Sequence, residues 1–188
     1  MRGVGGRSRV WKIAAALVMA AAESWAQSNG GGRRRIVVSL EDRKLALLEE
    51  DQVIRVYPVA IGRTSSPTPE GRYEIVHRIP QPTWYYAGKI VPPGKSNPLG
   101  TRWLGLSCKG YGIHGTNSPS SVGRRASHGC VRMRNRDVEE LYELVKLGDT
   151  VELYKARNFE TLRIFGPAPE PAKLASVSQT PGGEMYGN

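Results

Sequence analysis

Between residues 35 and 106 the apolar residues come in short, often β-branched runs, each closed by glycine, proline or a cluster of polar turn residues. That punctuation suits strands and turns rather than helices. Residues 35–40 (RIVVSL) and 44–49 (KLALLE) flank the polar break Glu41-Asp42-Arg43 and read as a hairpin. Residues 52–62 (QVIRVYPVAIG) read as a third strand, where Pro58 favours an edge or a bulge. A loop at 64–71 (TSSPTPEG) precedes a strand at 72–78 (RYEIVHR), and 102–106 (RWLGL) forms another. His77 falls inside a strand beside Arg78 and is read as non-catalytic. The one helix-period stretch is residues 136–147 (RDVEELYELVKL), with Val138, Leu141, Tyr142 and Val145 on one face. Asn135 is its expected N-cap and Gly148 its stop, and residues 149–154 (DTVELY) close the pattern as a last strand. The chain is therefore expected to be mainly β with one main α-helix.

Residues 79–100 do not fit that punctuation. They hold Pro80, Pro82, Pro92, Pro93 and Pro98 together with Trp84, Tyr85 and Tyr86. Long irregular segments in compact domains usually carry function. We read this one as a cleft wall with Trp84 in contact with a bound molecule; the same residues also suit a packed surface loop.

Reactive side chains concentrate in residues 111–135, YGIHGTNSPSSVGRRASHGCVRMRN. The stretch holds His114 and His128 out of three histidines, and Cys130 out of two cysteines. A free thiol is only a few per cent thiolate at neutral pH, so a cysteine nucleophile needs a base beside it. His114 lies in a strand-like run, so if Ile113 enters the core, His114 faces the other way, toward a cleft. Residues 116–126 are rich in turn formers and return the chain to Ser127-His128-Gly129-Cys130. Gly129 permits a positive φ just before the thiol, which would aim the N–H of Cys130, and that of Gly129, at one point as an oxyanion hole. Beyond it Arg132 and Arg134 alternate with Val131 and Met133, and Arg132 is the candidate to grip a carboxylate. A metal reading also exists, with Cys108, His114, His128 and Cys130 as tetrahedral ligands, although the spacing lacks the compact pairs of a zinc finger.

These residues resemble the catalytic motif of the L,D-transpeptidases, the cysteine enzymes that cross-link bacterial peptidoglycan. His114-Gly115-Thr116, followed after a loop by Ser127-His128-Gly129-Cys130-Val131-Arg132, match its two blocks in order. The 65–71 segment (SSPTPEG) is similar to the turn that precedes a strand in that family. The resemblance spans residues 35–154. It implies Cys130 as nucleophile, His114 as general base and His128 as an orienting histidine, with Arg132 toward the substrate; Ser127 and, from the cleft-wall reading, Trp84 are the other candidate substrate contacts. It implies two packed mixed β-sheets with one helix near 136–147, and acyl transfer between peptidoglycan stem peptides without metal or organic cofactor; an L,D-carboxypeptidase or a lipoprotein-attaching or -detaching enzyme would use the same residues, and an inactive peptidoglycan-binding module is the reading from another class. With 12 residues between His114 and Ser127, the intervening loop is short, so no long lid is expected there.

Charge and the chain ends complete the expectation. The formal net charge is +10, which suggests anionic partners. No run alternates basic and aromatic residues as a nucleic-acid platform would, so no nucleic-acid partner is expected. Arg2, Arg7, Arg9 and Lys12 precede the ten-residue apolar run 13–22, and Ser24-Trp25-Ala26 offers a cleavage site. Residues 1–26 read as a secretory signal, placing the mature chain in the periplasm or cell wall. Its apolar run is too short to span a bilayer. Residues 27–34 read as a linker and 155–188 as a C-terminal extension, disordered after about 165. Cys108 and Cys130 are both expected as free thiols, since a bond between them would block the nucleophile.

Overall fold

The computed structural model describes residues 34–166. The expected signal segment, all but the last residue of the linker, and the tail beyond 166 lie outside the described residues.

Among the described residues twelve strands form, eight of them in one curled mixed sheet. The opening hairpin is β1 (Arg34–Ser39) and β2 (Lys44–Glu49), followed by β3 (Gln52–Pro58). β5 (Gly71–Pro80), β8 (Arg102–Leu106), β9 (Gly112–His114), β11 (Val131–Arg132) and β12 (Thr150–Tyr154) complete the sheet, in the order β11-β9-β8-β5-β12-β1-β2-β3. The two expected sheets are two leaves of this one sheet, and the ten-residue β5 belongs to both. Its first residues pair with β12, its last with β8, and the register shifts between Ile75 and His77. Such an irregularity bends a strand and increases its twist, so it is where the leaves fold toward each other. Each leaf contains one parallel pair, β1 with β12 and β9 with β11.

Between the leaves lies the main core. Ile36, Val38, Leu45 and Leu47 from one leaf meet Leu104, Ile113 and Val131 from the other. Helix α1 (Asn135–Leu144) is packed on β8 and β9 and adds Val138 and Leu141, both 0 % exposed. Each such side chain contributes about 1.5–3 kcal/mol by leaving water. Tyr142, at the edge of that face, is covered by the Arg78 guanidinium 4.2 Å from its ring centre.

Asn135 does not cap the helix as its residue type suggests. Arg134 occupies the N-cap without a side-chain bond, and the Asn135 carboxamide instead accepts the Thr116 N–H at 2.9 Å. Thr116 is buried beside His114, so a buried donor there needs that partner. Gly100, at φ +63°, passes so close that a Cβ would lie 2.1 Å from the same carboxamide oxygen. Replacing Asn135 with alanine is expected to cost about 1–3 kcal/mol, the penalty of an orphaned buried N–H, read as a lower urea midpoint at unchanged slope.

The structure adds elements at three points. Residues 52–62 are split: β3 ends at Pro58, on the sheet edge as expected, and β4 (Ile61–Gly62) pairs in parallel with β10 (Arg125–Ser127). The proline-rich segment contains a second hairpin, β6 (Trp84–Tyr86) and β7 (Lys89–Val91). The buried Asn97 holds it by donating from Nδ2 to the carbonyls of Pro82 at 2.8 Å and Val91 at 3.1 Å. A second helix, α2 (Phe159–Phe165), starts with a capping box between Asn158 and Thr161. Ile164 and Phe165 cover Val37, Ala46 and Leu48 on the outer face of the first leaf. Arg35, bonded to Asp51 at 2.8 Å, Glu152 at 3.1 Å and Glu160, ties α2 to the sheet.

Candidate active site

The parallel pairing of β9 with β11 sets His114 directly opposite Arg132 and Ile113 opposite Val131. Because strand side chains alternate, Ile113 and Val131 enter the core while His114 and Arg132 share the other face. Cys130, two residues before Arg132, falls on that face too. His114, Cys130 and Arg132 thus line one cavity of about 620 Å³.

His114 is 4 % exposed, and its ring stacks on Trp103 from the opposite strand, centres 5.7 Å apart. Gly112 makes room for that indole: a Cβ there would lie 2.6 Å from the Trp103 ring. Nδ1 lies 2.6 Å from the Gly115 carbonyl, an acceptor, so Nδ1 carries the proton and Nε2 keeps a lone pair. Burial is the main cause that pulls its pKa from 6.5 down to about 4, with the Arg132 charge acting the same way and the Gly115 and Leu99 carbonyls opposing. In the unfolded chain the imidazole takes its proton near 6.5. Between these values the unfolded state binds more protons, so stability falls as pH drops from about 6.5 to about 4. The loss should reach about 3 kcal/mol, and His114→Gln should remove most of it from urea midpoints measured across that range.

Cys130 is half-buried, and its thiol donates to the Gly110 carbonyl at 3.7 Å. Burial raises its pKa, while the Gly112 backbone and the Arg132 charge favour the thiolate. A neutral imidazole and a neutral thiol therefore line the same cavity at rest, with the Arg132 guanidinium beside them favouring the thiolate.

The turn before the thiol has the expected shape but a different division of labour. Gly129 has φ +119°, and a Cβ there would lie 2.6 Å from the Tyr111 ring, so glycine is required. Its N–H, however, is given to Ser127 Oγ at 3.1 Å, which removes it as a ready oxyanion donor. Ser127, 1 % exposed, also donates to the Cys130 carbonyl at 2.6 Å. Both of its hydrogen-bonding roles are spent on the turn, so it pins the backbone around Cys130 rather than reaching for substrate.

The remaining expected residues stand at the cavity wall. Arg132 donates from Nη1 to Ser121 Oγ at 3.1 Å, and its buried Nε has no protein partner. His128 is exposed on the wall with its Nε2 2.6 Å from Arg63 Nη2, and its ring lies 6.2 Å from that of Tyr86. Trp84 stacks on Tyr86 at 5.6 Å and lines the cavity with it. The hairpin that carries both is thus part of the wall. Trp103, Gly110 and Arg63 were not legible in the sequence. Each is placed by strand register or by a turn, and no residue pattern encodes those.

Among the described residues no three His, Cys, Asp or Glu side chains gather as a metal site. The tetrahedral set of Cys108, His114, His128 and Cys130 is therefore not assembled. Cys108 and Cys130 are both free cysteines.

A curled mixed sheet of this kind is shared with solved L,D-transpeptidases. That of Mycobacterium smegmatis superposes with a TM-score of 0.57 at 18 % identity, covering 66 % of this chain and 59 % of that one. The Enterococcus faecium enzyme, as its C442S mutant, gives 0.56 at 22 %, covering 65 % and 50 %. These likenesses define the fold. A family model described as the L,D-transpeptidase catalytic domain matches residues 33–153, and the chain belongs to that family. YqjB of Bacillus subtilis, which carries an L,D-transpeptidase name, is 38 % identical over 136 residues, 69 % of this chain and 76 % of that protein. YkuD of Bacillus licheniformis, similarly named, is 44 % identical over 119 residues, 63 % of this chain. The match spans 64 % of the length of that YkuD.

Proposed function

We propose that this chain is an L,D-transpeptidase that cross-links peptidoglycan through a Cys130 acyl-enzyme. The observation that carries the reading is the shared face of β9 and β11, which turns His114, Cys130 and Arg132 into one cleft. Cys130 gives its proton to His114 Nε2, and its sulfur attacks the carbonyl of the third residue of a tetrapeptide stem. The Cys130 N–H stabilises the oxyanion. D-Alanine leaves with the proton returned by His114, and a thioester remains. A second stem's amine, deprotonated by His114, attacks the thioester, forms the new amide and frees the thiol. That sequence is ping-pong acyl transfer, and no metal or organic cofactor enters it.

Arg132 holds a substrate carboxylate, His128 orients the rim, and Trp84 packs against the stem. Peptidoglycan peptides, donor and amine acceptor, are the partners; nucleic acid is not one. The basic, apolar N-terminal segment supports export to the periplasm or cell wall. Incubating the protein with a disaccharide-tetrapeptide and weighing the products tests the reading. Cross-linked dimer with free D-alanine is expected. Tripeptide alone would make the chain an L,D-carboxypeptidase, and unchanged substrate would leave a wall-binding module.

A further inference from the structure

Around the cleft the positive charge is uncompensated. The ion pairs among the described residues use Arg34, Arg35, Arg55, Arg72, Arg134, Arg157 and Arg163. Arg132, which lines the cavity with the thiol, and Arg63, which meets the cavity wall through His128, have no carboxylate partner among the described residues. The two are close enough that the charge of Arg63 makes Arg132 harder to keep protonated, secondary to burial.

The Arg63 side chain is exposed, but its backbone is fixed. Its N–H donates to the Ser127 carbonyl at 3.1 Å, and its own carbonyl accepts the Ser66 N–H at 3.0 Å. Ser66 Oγ in turn donates to the His128 carbonyl at 2.8 Å. The 62–66 turn is tight: a Cβ on Gly62 would lie 2.3 Å from the Ser66 carbonyl oxygen. This turn is therefore laced to the segment that carries Cys130, and it presents a guanidinium with one Nη2–His128 contact and further N–H donors to spare. On the cavity wall, Arg132 keeps its buried Nε unpartnered.

We propose that Arg63 and Arg132 form a two-cation clamp, spaced by His128, for a free carboxylate on the substrate peptide close to the scissile bond. This rests on the acyl-transfer reading for the identity of the substrate, but the clamp itself is a property of the space around the thiol. It makes Arg63 a specificity-determining residue: peptides ending in a free carboxylate are taken, and the same peptides ending in an amide are not.

A pair of small electrophiles reads the clamp without any peptide. Iodoacetate and iodoacetamide both alkylate a thiolate with loss of iodide, and they differ by one carboxylate. Their rates at Cys130, followed by peptide mass mapping to separate it from Cys108, give a ratio in which any change of thiol pKa cancels. Arg63→Gln is expected to lower the iodoacetate-to-iodoacetamide ratio about tenfold, and Arg63→Lys, which keeps the charge, to retain most of it. Added salt should compress the wild-type ratio. A ratio unmoved by Arg63→Gln, or lowered equally by lysine, would overturn the clamp. With substrate, Arg63→Gln should raise KM for the free-acid tetrapeptide about tenfold and leave the amide analogue unchanged. Should Cys130 not accept acyl groups from peptides, the alkylation ratio still falls if the clamp is right. Should the ratio hold while acylation proceeds, only the clamp fails.

Discussion

Cys130→Ala is expected to abolish D-alanine release from a disaccharide-tetrapeptide, by at least about 10³-fold. No other side chain on the shared face of β9 and β11 can form the thioester: His114 is held by Gly115, and Arg132 is a cation. Stability should barely change. The thiol's hydrogen bond to Gly110 is long, 3.7 Å, and the turn around it is held by Ser127 and by backbone rather than by sulfur. Cys130→Ala with a normal urea midpoint and no turnover is the predicted pair of results. Persistent D-alanine release would move the nucleophile elsewhere.

His114→Gln should lower the same rate by about 10²–10⁴-fold, the range for losing a positioned general base. Glutamine can still hydrogen-bond to the Gly115 carbonyl and pack on Trp103, but it cannot take a proton. The effect should fall on kcat rather than KM, because the imidazole acts on the proton and not on the stem. The rate of Cys130 alkylation by iodoacetamide should also drop at neutral pH, since the thiolate loses its proton acceptor. A variant turning over within threefold of the wild type would show that the thiol is activated without His114.

Much of this was readable from residue order. The runs at 35–40, 44–49 and 102–106 became β1, β2 and β8 almost unchanged, because β-branched alternation and turn residues encode strands locally. Ile113 in the core and His114 in the cleft followed from the same alternation. Gly129 took its positive φ as a tight approach demands. What escaped depends on partners far away in sequence. Asn135 is an ordinary N-cap by residue type, yet it serves Thr116, nineteen positions earlier, because the chain brings a buried donor there. Helix α2 could have been suspected: Val37, Ala46 and Leu48 make the outer face of the first hairpin apolar, and such a face needs a cover. The duty of Ser127 and the loss of the Gly129 N–H to it are set by a turn of four residues whose hydrogen bonds no pattern announces. Arg63 is more remote still, since its turn meets the segment that carries Cys130 through the pairing of β4 with β10.

The most direct test is the mass of the protein caught in turnover. The purified chain is mixed with a disaccharide-tetrapeptide whose side-chain amine is acetylated, so that no acceptor amine is present, quenched in acid within seconds, and mapped by peptide mass spectrometry. The account predicts an adduct of the stem without its D-alanine on the peptide that contains Cys130, labile to hydroxylamine as a thioester is, with D-alanine released in step. D-Alanine appearing while every Cys130 peptide stays unmodified under a hydroxylamine-free quench would contradict it.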